Sequence, residues 1–301
     1  MSVQRTKSLQ ARSLAKGVRV GATSRLVAPP GMRPFHFHTH QTQADIFISR
    51  NIAEQGTWEP IETAVVCRLL PLFRTFVDLG ANIGWYTAIA QRVMKLRSRV
   101  YAFEPEPSNF ALLKANSSSH RWPWPRTTIV QAAVSDHVGR LDLHLSESNP
   151  GDHRIYPSEA ARSCLSVPVT SLDAFFANKP LPPFLLKADT QGSEPRILRG
   201  GGCTLSENLA ASVLILEFWP HGMAASGEDV GAFLVELAKL PHRPLLIDNA
   251  GGKLRSVAWE GLAARCEQDL APSTQAFVDL VLLPAESDAY RAVEDLIDPH
   301  Q

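Results

Sequence analysis

One stretch, residues 75–105 (TFVDLGANIGWYTAIAQRVMKLRSRVYAFEP), constrains the fold more than any other part of the chain. A short apolar segment ends at Asp78, and Gly80 and Gly84 then allow the backbone to turn and to approach a ligand closely. From residue 83 onward, apolar residues recur at the spacing of a helix with one buried face. The order of strand, glycine turn and helix predicts half of a nucleotide-binding α/β domain.

The predicted ligand of this turn follows from its acidic residues. Glu104 ends the next apolar strand, 24 residues after Gly80, where a carboxylate can accept hydrogen bonds from ribose hydroxyls. A turn that binds pyrophosphate has the pattern G-x-G-x-x-G without a neighbouring carboxylate, whereas Asp78 precedes Gly80 here. A carboxylate suits a ligand that carries an ammonium and a sulfonium, so S-adenosylmethionine (SAM) is favoured over NAD. The alternative is that Asp78 only caps the helix and Glu104 is a solvated strand end.

The composition is that of a globular protein, with 45% hydrophobic and 20% charged residues in 301. No apolar run reaches the roughly 18 residues that cross a bilayer, so we expect no membrane span. The four cysteines are far apart and lack C-x-x-C spacing, which predicts neither a zinc site nor a disulfide framework. A reducing, cytoplasmic location fits this cysteine usage best.

The net charge of zero conceals an uneven distribution. Residues 1–33 contain seven basic and no acidic residues, which leaves 23 basic and 30 acidic residues in the remainder. An acidic body is a poor surface for nucleic acid, so we expect no nucleic-acid partner. We expect four regions: a basic flexible arm (1–33), or alternatively a targeting peptide; a helical entry or lid segment (34–70); the main domain (71–290); and a tail (291–301).

Four predicted strands end in acids: Asp78, Glu104, Asp189 and Glu217. In an open parallel sheet, ligands bind outside the carboxyl ends of the strands, where the strand order reverses. If the order reverses between the two pairs, the cofactor lies over the first pair and the acceptor faces the second.

Methyl transfer from a sulfonium requires the protein mainly to align the acceptor and to remove its proton. We predict Asp189 as the base, with His221 as second choice and with Lys187 and Glu217 tuning the site. Lys187 is equally consistent with a structural ion pair. Asp189, Glu217 and His221 could instead hold a divalent cation, which is possible but not expected.

Three further segments bear on function. His36, His38 and His40 alternate along an extended segment and could bind a metal, although an exposed entry loop or acceptor wall is favoured. Apolar and polar residues alternate from Gly139 onward, which predicts a pair of antiparallel strands inserted between two βα units. The loop between these strands, 149–157, is a candidate for acceptor recognition. The turn 132–136 is where an adenine would lie against small side chains.

The motifs in order resemble those of FkbM-type SAM-dependent methyltransferases. They are VDLGANIGWYT (77–87), AFEPEPSNF (102–110), QAAVSDHVG (131–139), VPVTSLDAFF (167–176), LLKADTQGSEPRILRGG (185–201) and ILEFWPHG (215–222). The resemblance implies an α/β fold, a Rossmann-like class I methyltransferase with a seven-stranded, mostly parallel twisted sheet and helices on both faces. It also implies methylation of a hydroxyl oxygen on a sugar, polyketide or related metabolite. At residues 188–192 the chain has Ala-Asp-Thr-Gln-Gly where the family more often has Ile-Asp-Val-Glu-Gly, so it departs at Ala188, Thr190 and Gln191. It departs also at Pro195, and these differences leave the acceptor open.

The motifs and the resemblance together predict the site residues. Asp189 would face the methyl group, and the predicted SAM contacts are Asp78, Gly80, Ala81, Asn82, Gly84, Tyr86, Glu104, Pro105, Asn109, Ala133 and Val134. The small-molecule acceptor is the expected partner. Two alternatives stay open: a non-catalytic module that binds SAM or a partner protein, and, less favoured, an NAD-dependent oxidoreductase.

Overall fold

A computed structural model describes residues 22–118, 125–146, 149–157 and 162–299. Its strands are β1 Thr23–Val27, β2 Phe35–Thr39, β3 Thr75–Leu79, β4 Arg99–Phe103, β5 Arg126–Val130, β6 Ala133–Val134, β7 Gly139–Leu145, β8 Ser163–Thr170, β9 Phe184–Ala188, β10 Val213–Phe218, β11 His242–Asp248, β12 Lys253–Ser256 and β13 Val278–Pro284. Its helices are α1 Ile48–Gln55, α2 Pro60–Leu69, α3 Trp85–Val93, α4 Pro107–Ser118, α5 Leu172–Phe176, α6 Glu194–Arg199, α7 Gly202–Ser206, α8 Pro220–Ala225, α9 Val230–Ala238, α10 Trp259–Cys266 and α11 Asp288–Val293. Within the described ranges, no helix is long and apolar enough to cross a bilayer.

The central sheet has the strand order β12-β11-β13-β10-β9-β3-β4-β5. Six strands run in one direction, and β13 and β12 run antiparallel to their neighbours. The strand order reverses between β3 and β9. The prediction of a Rossmann-like, mostly parallel sheet with a reversal before Asp189 is therefore confirmed.

The sheet has eight strands rather than the expected seven. The additional strand, β12, pairs with β11 as an edge hairpin. The connecting turn forms because the Asp248 carboxylate accepts hydrogen bonds from the backbone N–H groups of Ala250 and Gly251. Strand β12 has only four residues (KLRS) with a single apolar one, so its sequence does not indicate a strand.

The core lies on both faces of the sheet because successive strand residues point to opposite sides. In β3, Phe76 packs on the face covered by α2 and α3, whereas Val77 and Leu79 pack on the face covered by α5, α6 and α9. The same alternation runs along β10. Separately, β6, β7 and β8 form a small three-stranded sheet, in which β7 and β8 are antiparallel as predicted.

The N-terminal boundary differs from the prediction. Residues 23–27 and 35–39 form an antiparallel hairpin, so the part of the expected arm from residue 22 to 33 belongs to the folded domain. The prolines and glycine at 29–31, which suggest the end of an arm, instead form the hairpin turn, where Met32 N donates to Pro29 O at 3.1 Å. The remainder of the arm, residues 1–21, lies outside the described residues.

The expected tail also packs on the domain in part. Ile297 bridges Leu254 of β12, and Val293 is buried in the core. The entry segment, expected to be helical, begins with β2 and then contains α1 and α2. The carboxylate of Asp45 accepts hydrogen bonds from the backbone N–H groups of Ile48 and Ser49, which fixes the start of α1.

Substitution of Phe37 tests whether the hairpin stabilises the domain. Phe37 is completely buried, and its ring lies edge-on to Trp85 with 5.2 Å between centroids. We expect Phe37→Ala to lower the free energy of unfolding by about 3–5 kcal/mol, measured by urea denaturation. Leu26→Ala, in the same hairpin at a residue that is 64% exposed, is the control and should change it by less than about 0.5 kcal/mol. Equal effects of the two variants would contradict this packing.

Candidate active site

The glycine turn after β3 packs directly against the end of β9. Gly80 has a φ of +74°, and a Cβ atom at this position would lie 2.0 Å from the carbonyl oxygen of Asp189. Asp189 N also donates to Leu79 O at 3.1 Å. Only glycine allows this approach, because the obstacle is backbone. The predicted cofactor turn and the predicted base are therefore held together by main-chain contacts at the reversal point.

A cleft of about 560 Å³ opens at this end of the sheet. Eight of the predicted site residues line it: Gly80, Asn82, Glu104, Pro105, Asn109, Ala133, Val134 and Asp189. It is also lined by Ala132, in the turn where an adenine is expected, and by nine residues not predicted to contact the cofactor: Phe103, Leu143, Pro150, Gly151, His153, Ile155, Thr190, Gln191 and Ser193.

Glu104 is held at the cleft by backbone donors. Its Oε2 accepts from Asn82 N and its Oε1 from Glu106 N, each at 2.9 Å. Burial raises the pKa of Glu104 to about 8, although these hydrogen bonds oppose the shift. Each carboxylate oxygen has a further lone pair, so Glu104 can still accept hydrogen bonds from hydroxyls of a ligand.

Four other predicted cofactor residues, Asp78, Ala81, Gly84 and Tyr86, are not among the residues that line the cleft. Asp78 accepts a hydrogen bond of 2.5 Å from Thr87 Oγ1, and burial raises its pKa to about 6. Gly84 lies against α4, where a Cβ atom would be 2.8 Å from Leu113 Cδ1. Ala81 is buried, and the Tyr86 hydroxyl donates to Glu59 Oε2 at 2.7 Å. These residues support the turn from beneath.

Lys187 is a buried cation between two acids. Its Nζ lies 3.2 Å from Glu62 Oε1 and 3.3 Å from Asp189 Oδ2, and 4.9 Å from the centroid of the Tyr86 ring. Burial alone would lower the pKa of Lys187, but the neighbouring carboxylates outweigh it and hold that pKa well above its ordinary value. Lys187 thus links the entry helix α2 to Asp189. Sequence reasoning missed Glu62, although an acid on the buried face of a helix is a detectable signal.

Gln191 joins Asp189 to Glu217. Its Nε2 lies 3.0 Å from both oxygens of Glu217 and 3.2 Å from Asp189 Oδ1. Burial and the charge of Asp189 raise the pKa of Glu217 well above its ordinary value. A glutamine at this position donates a hydrogen bond between two acids, where a glutamate would add a third carboxylate. The departure from the family pattern at Gln191 therefore has a physical reason.

His221 and the N-terminal histidines occupy other surroundings. The Nδ1 of His221 lies 2.7 Å from Pro272 O, and its ring is 5.3 Å from that of Trp219. The Nε2 of His40 lies 2.8 Å from Asn109 Oδ1, beside the cleft, whereas His36 is exposed and contacts Ser24. In the part of the chain that the structure describes, no three His, Cys, Asp or Glu side chains are grouped so as to hold a metal ion.

The fold and the cleft define a Rossmann-like α/β protein with a cofactor-type site at the reversal point of its sheet. The family model for the methyltransferase FkbM domain matches residues 78–240, more than half of the chain. The chain belongs to this methyltransferase family.

Individual relatives are more distant. The 2-O-methyltransferase NoeI of Sinorhizobium fredii (strain NBRC 101917 / NGR234) is 28% identical over 149 residues, which are 44% of this chain and 58% of that protein. The match thus spans just over half the length of that relative. A solved methyltransferase FkbM from Methylobacillus flagellatus KT is 17% identical with a TM-score of 0.42, over 69% of this chain and 43% of that one. An O-methyltransferase from Bacillus cereus in complex with SAH is 12% identical with a TM-score of 0.40, over 81% and 92%.

The raised pKa of Glu104 makes the stability of the protein depend on pH. Between pH 4.5 and about 8, the folded protein retains a proton that the unfolded chain releases, so the free energy of unfolding should fall as the pH rises. We expect Glu104→Gln to reduce the difference in melting temperature between pH 5 and pH 8, measured without ligand. If the glutamine amide forms weaker hydrogen bonds with the backbone, the melting temperature falls by a similar amount at both pH values, so the difference is not affected. Glu260→Gln, at an exposed helix residue, should leave this difference unchanged; an unchanged difference in Glu104→Gln would refute the assignment.

Proposed function

We propose that the protein is a SAM-dependent methyltransferase that methylates a hydroxyl oxygen of a small acceptor such as a sugar or a polyketide. The observation that carries the proposal is the shared cleft in which Glu104 and Asp189 lie on either side of the glycine turn. When bound, SAM would supply the activated methyl group. The protein would then have to bind the cofactor, align the acceptor and take up its proton.

The residues of the cleft fit such a cofactor. Glu104 offers carboxylate lone pairs for ribose hydroxyls, and the small residues Ala133 and Val134 leave room for a flat base. Ser193 adds a hydroxyl that is buried on the cleft wall and makes no hydrogen bond to the described residues. A buried hydroxyl without a hydrogen bond lowers the free energy of unfolding, unless a bound ligand forms that hydrogen bond.

Asp189 is the base that we propose for the acceptor hydroxyl. Its side chain is 33% exposed, whereas that of Glu62, the other acid in contact with Lys187, is 1% exposed. Lys187 holds Oδ2 and Gln191 holds Oδ1, so the carboxylate is oriented before an acceptor arrives. His221 remains a second candidate, and Glu217 would tune the site through Gln191.

A hydroxyl acceptor is favoured over an amine for a chemical reason. A hydroxyl has a pKa far above 7 and needs a base near the reacting oxygen, whereas a neutral amine does not. The name of the relative NoeI, a 2-O-methyltransferase, supports the same preference.

Calorimetric titration with SAM, SAH and NADH tests the cofactor. We expect SAM and SAH to bind and NADH not to bind. Glu104→Ala should weaken SAH binding by about 2–10-fold, because Glu104 is largely protonated below pH 8 and a neutral hydrogen bond contributes about 0.5–1.5 kcal/mol. Glu260→Ala is the control and should bind normally. Binding of NADH in place of SAH would overturn the proposal in favour of an oxidoreductase.

Asp189→Asn tests the catalytic assignment. With a panel of hydroxylated acceptors and SAM carrying a labelled methyl group, we expect the transfer rate to fall by about 10²–10⁴-fold, since the amide cannot take up a proton. The dissociation constant of SAH should stay within a few-fold of the wild-type value. Asp142→Asn, on an exposed part of β7, is the control. Full activity of Asp189→Asn would exclude this base, and a wild-type protein that binds SAH but transfers no methyl group would favour a non-catalytic module.

A further inference from the structure

The loop 149–157 between β7 and β8 forms one wall of the cleft. Pro150, Gly151, His153 and Ile155 all line it. From its sequence, this loop is a candidate for acceptor recognition. The hydrogen bonds of Pro150, however, are with the glycine turn and with the segment that follows β4, where the predicted cofactor residues lie. On the other side, the Arg154 guanidinium lies 4.6 Å from the centroid of the Trp219 ring, which follows β10.

Two asparagines fasten the loop to the cofactor side of the cleft. The carbonyl oxygen of Pro150 accepts a hydrogen bond from Asn109 Nδ2 at 2.8 Å and another from Asn82 Nδ2 at 3.3 Å. The amide of Asn109 is oriented in turn by its contact with the ring of His40. Both asparagines are predicted cofactor residues, and both connect the loop to the turns that would surround the cofactor.

The loop also packs against the entry helix α1. A Cβ atom on Gly151 would lie 2.8 Å from Ile48 Cδ1 and 3.6 Å from Asn82 Nδ2. A larger residue would push the loop away from α1 unless the isoleucine side chain shifted. Gly151 thus allows the loop 149–157 to pack against both α1 and the glycine turn.

His153 is one of the residues that line the cleft. Its Nδ1 lies 3.1 Å from Ser146 N and accepts the hydrogen bond of that N–H group, so the neutral ring carries its proton on Nε2. Burial lowers the pKa of His153, against the opposing charges of Glu106 and Asp152, which favours this neutral form. Its Nε2 makes no hydrogen bond to the described residues, so an N–H donor is available to a ligand.

We propose that the loop 149–157 is the lid of the cofactor cleft and that His153 donates its Nε2 proton to the nucleoside part of the bound cofactor. This inference rests on the proposed SAM-binding function. The nucleoside is the part favoured because the charged groups that act on His153 include Glu106, which follows β4, and His40, which contacts Asn109. Asp189, where the methyl group would lie, follows β9 instead.

The test uses SAH and 5′-methylthioadenosine, which keeps the nucleoside but lacks the amino-acid end. His153→Ala should weaken the binding of both ligands by a similar factor, about 5–10-fold in calorimetry, as expected for one lost hydrogen bond. His153→Gln, whose amide nitrogen can donate from a similar position, should recover most of the affinity. His137→Ala, at a half-exposed surface histidine paired with Asp136, should bind both ligands normally.

Hydrogen exchange provides an independent readout on the wild-type protein. SAH should slow amide exchange in 149–157, and unchanged exchange there would overturn the lid assignment even if His153→Ala failed to fold. If the wild type binds SAH but His153→Ala binds it equally well, the role of His153 is refuted while the proposed function stands. A variant with normal SAH affinity and a raised KM for the acceptor would assign the loop to the acceptor. Failure of the wild type to bind SAH at all would instead refute the proposed function.

Discussion

The buried ammonium of Lys187 is the interaction on which the rest of the site depends. It contacts acids from α2 and from the end of β9 and lies near the Tyr86 ring of α3, so one charge joins three elements that are distant in sequence. Removal of a buried ion-pair partner leaves the other charge without compensation, which is far more costly than the loss of a surface pair. Lys187 therefore has a structural role whether or not it also takes part in catalysis. Its position explains why a lysine can stand in an otherwise apolar strand.

The features that were predictable from the sequence are those fixed by local chain geometry. Gly80 and Glu104 were identifiable because a glycine turn after one strand and an acid at the end of the next together indicate a nucleotide-binding turn. Ala133 and Val134 were predicted because they lie in the turn after the next strand, where an adenine would be bound. All four residues line the cleft. The family resemblance added the order of motifs, which the match over residues 78–240 confirms.

What the sequence did not predict depends on contacts between distant segments. Glu62 became visible as a partner of Lys187 only once α2 was placed over the sheet. Tyr86 follows the glycine turn closely, yet the rotation of α3 directs its hydroxyl to Glu59, and a one-residue change in helix phase turns a side chain by about 100°. The loop 149–157 was recognised as functional, but which side of the cleft it covers is decided by its hydrogen bonds to Asn82 and Asn109.

The position of β13 between β10 and β11 has a consequence for work with shortened chains. The family match ends at residue 240, before β11 and β13, although β13 pairs along β10 from Leu214 to Phe218. A chain cut at the limits of the match would lack β13 and would leave the apolar strand β10 as an open sheet edge. Such an edge is a template for intermolecular strand pairing. The shortened chain would also lack Phe37 and Glu62, which precede residue 78. The matched region and the independently folding unit are thus different lengths of chain, and expression of the former alone should give aggregates rather than a smaller enzyme.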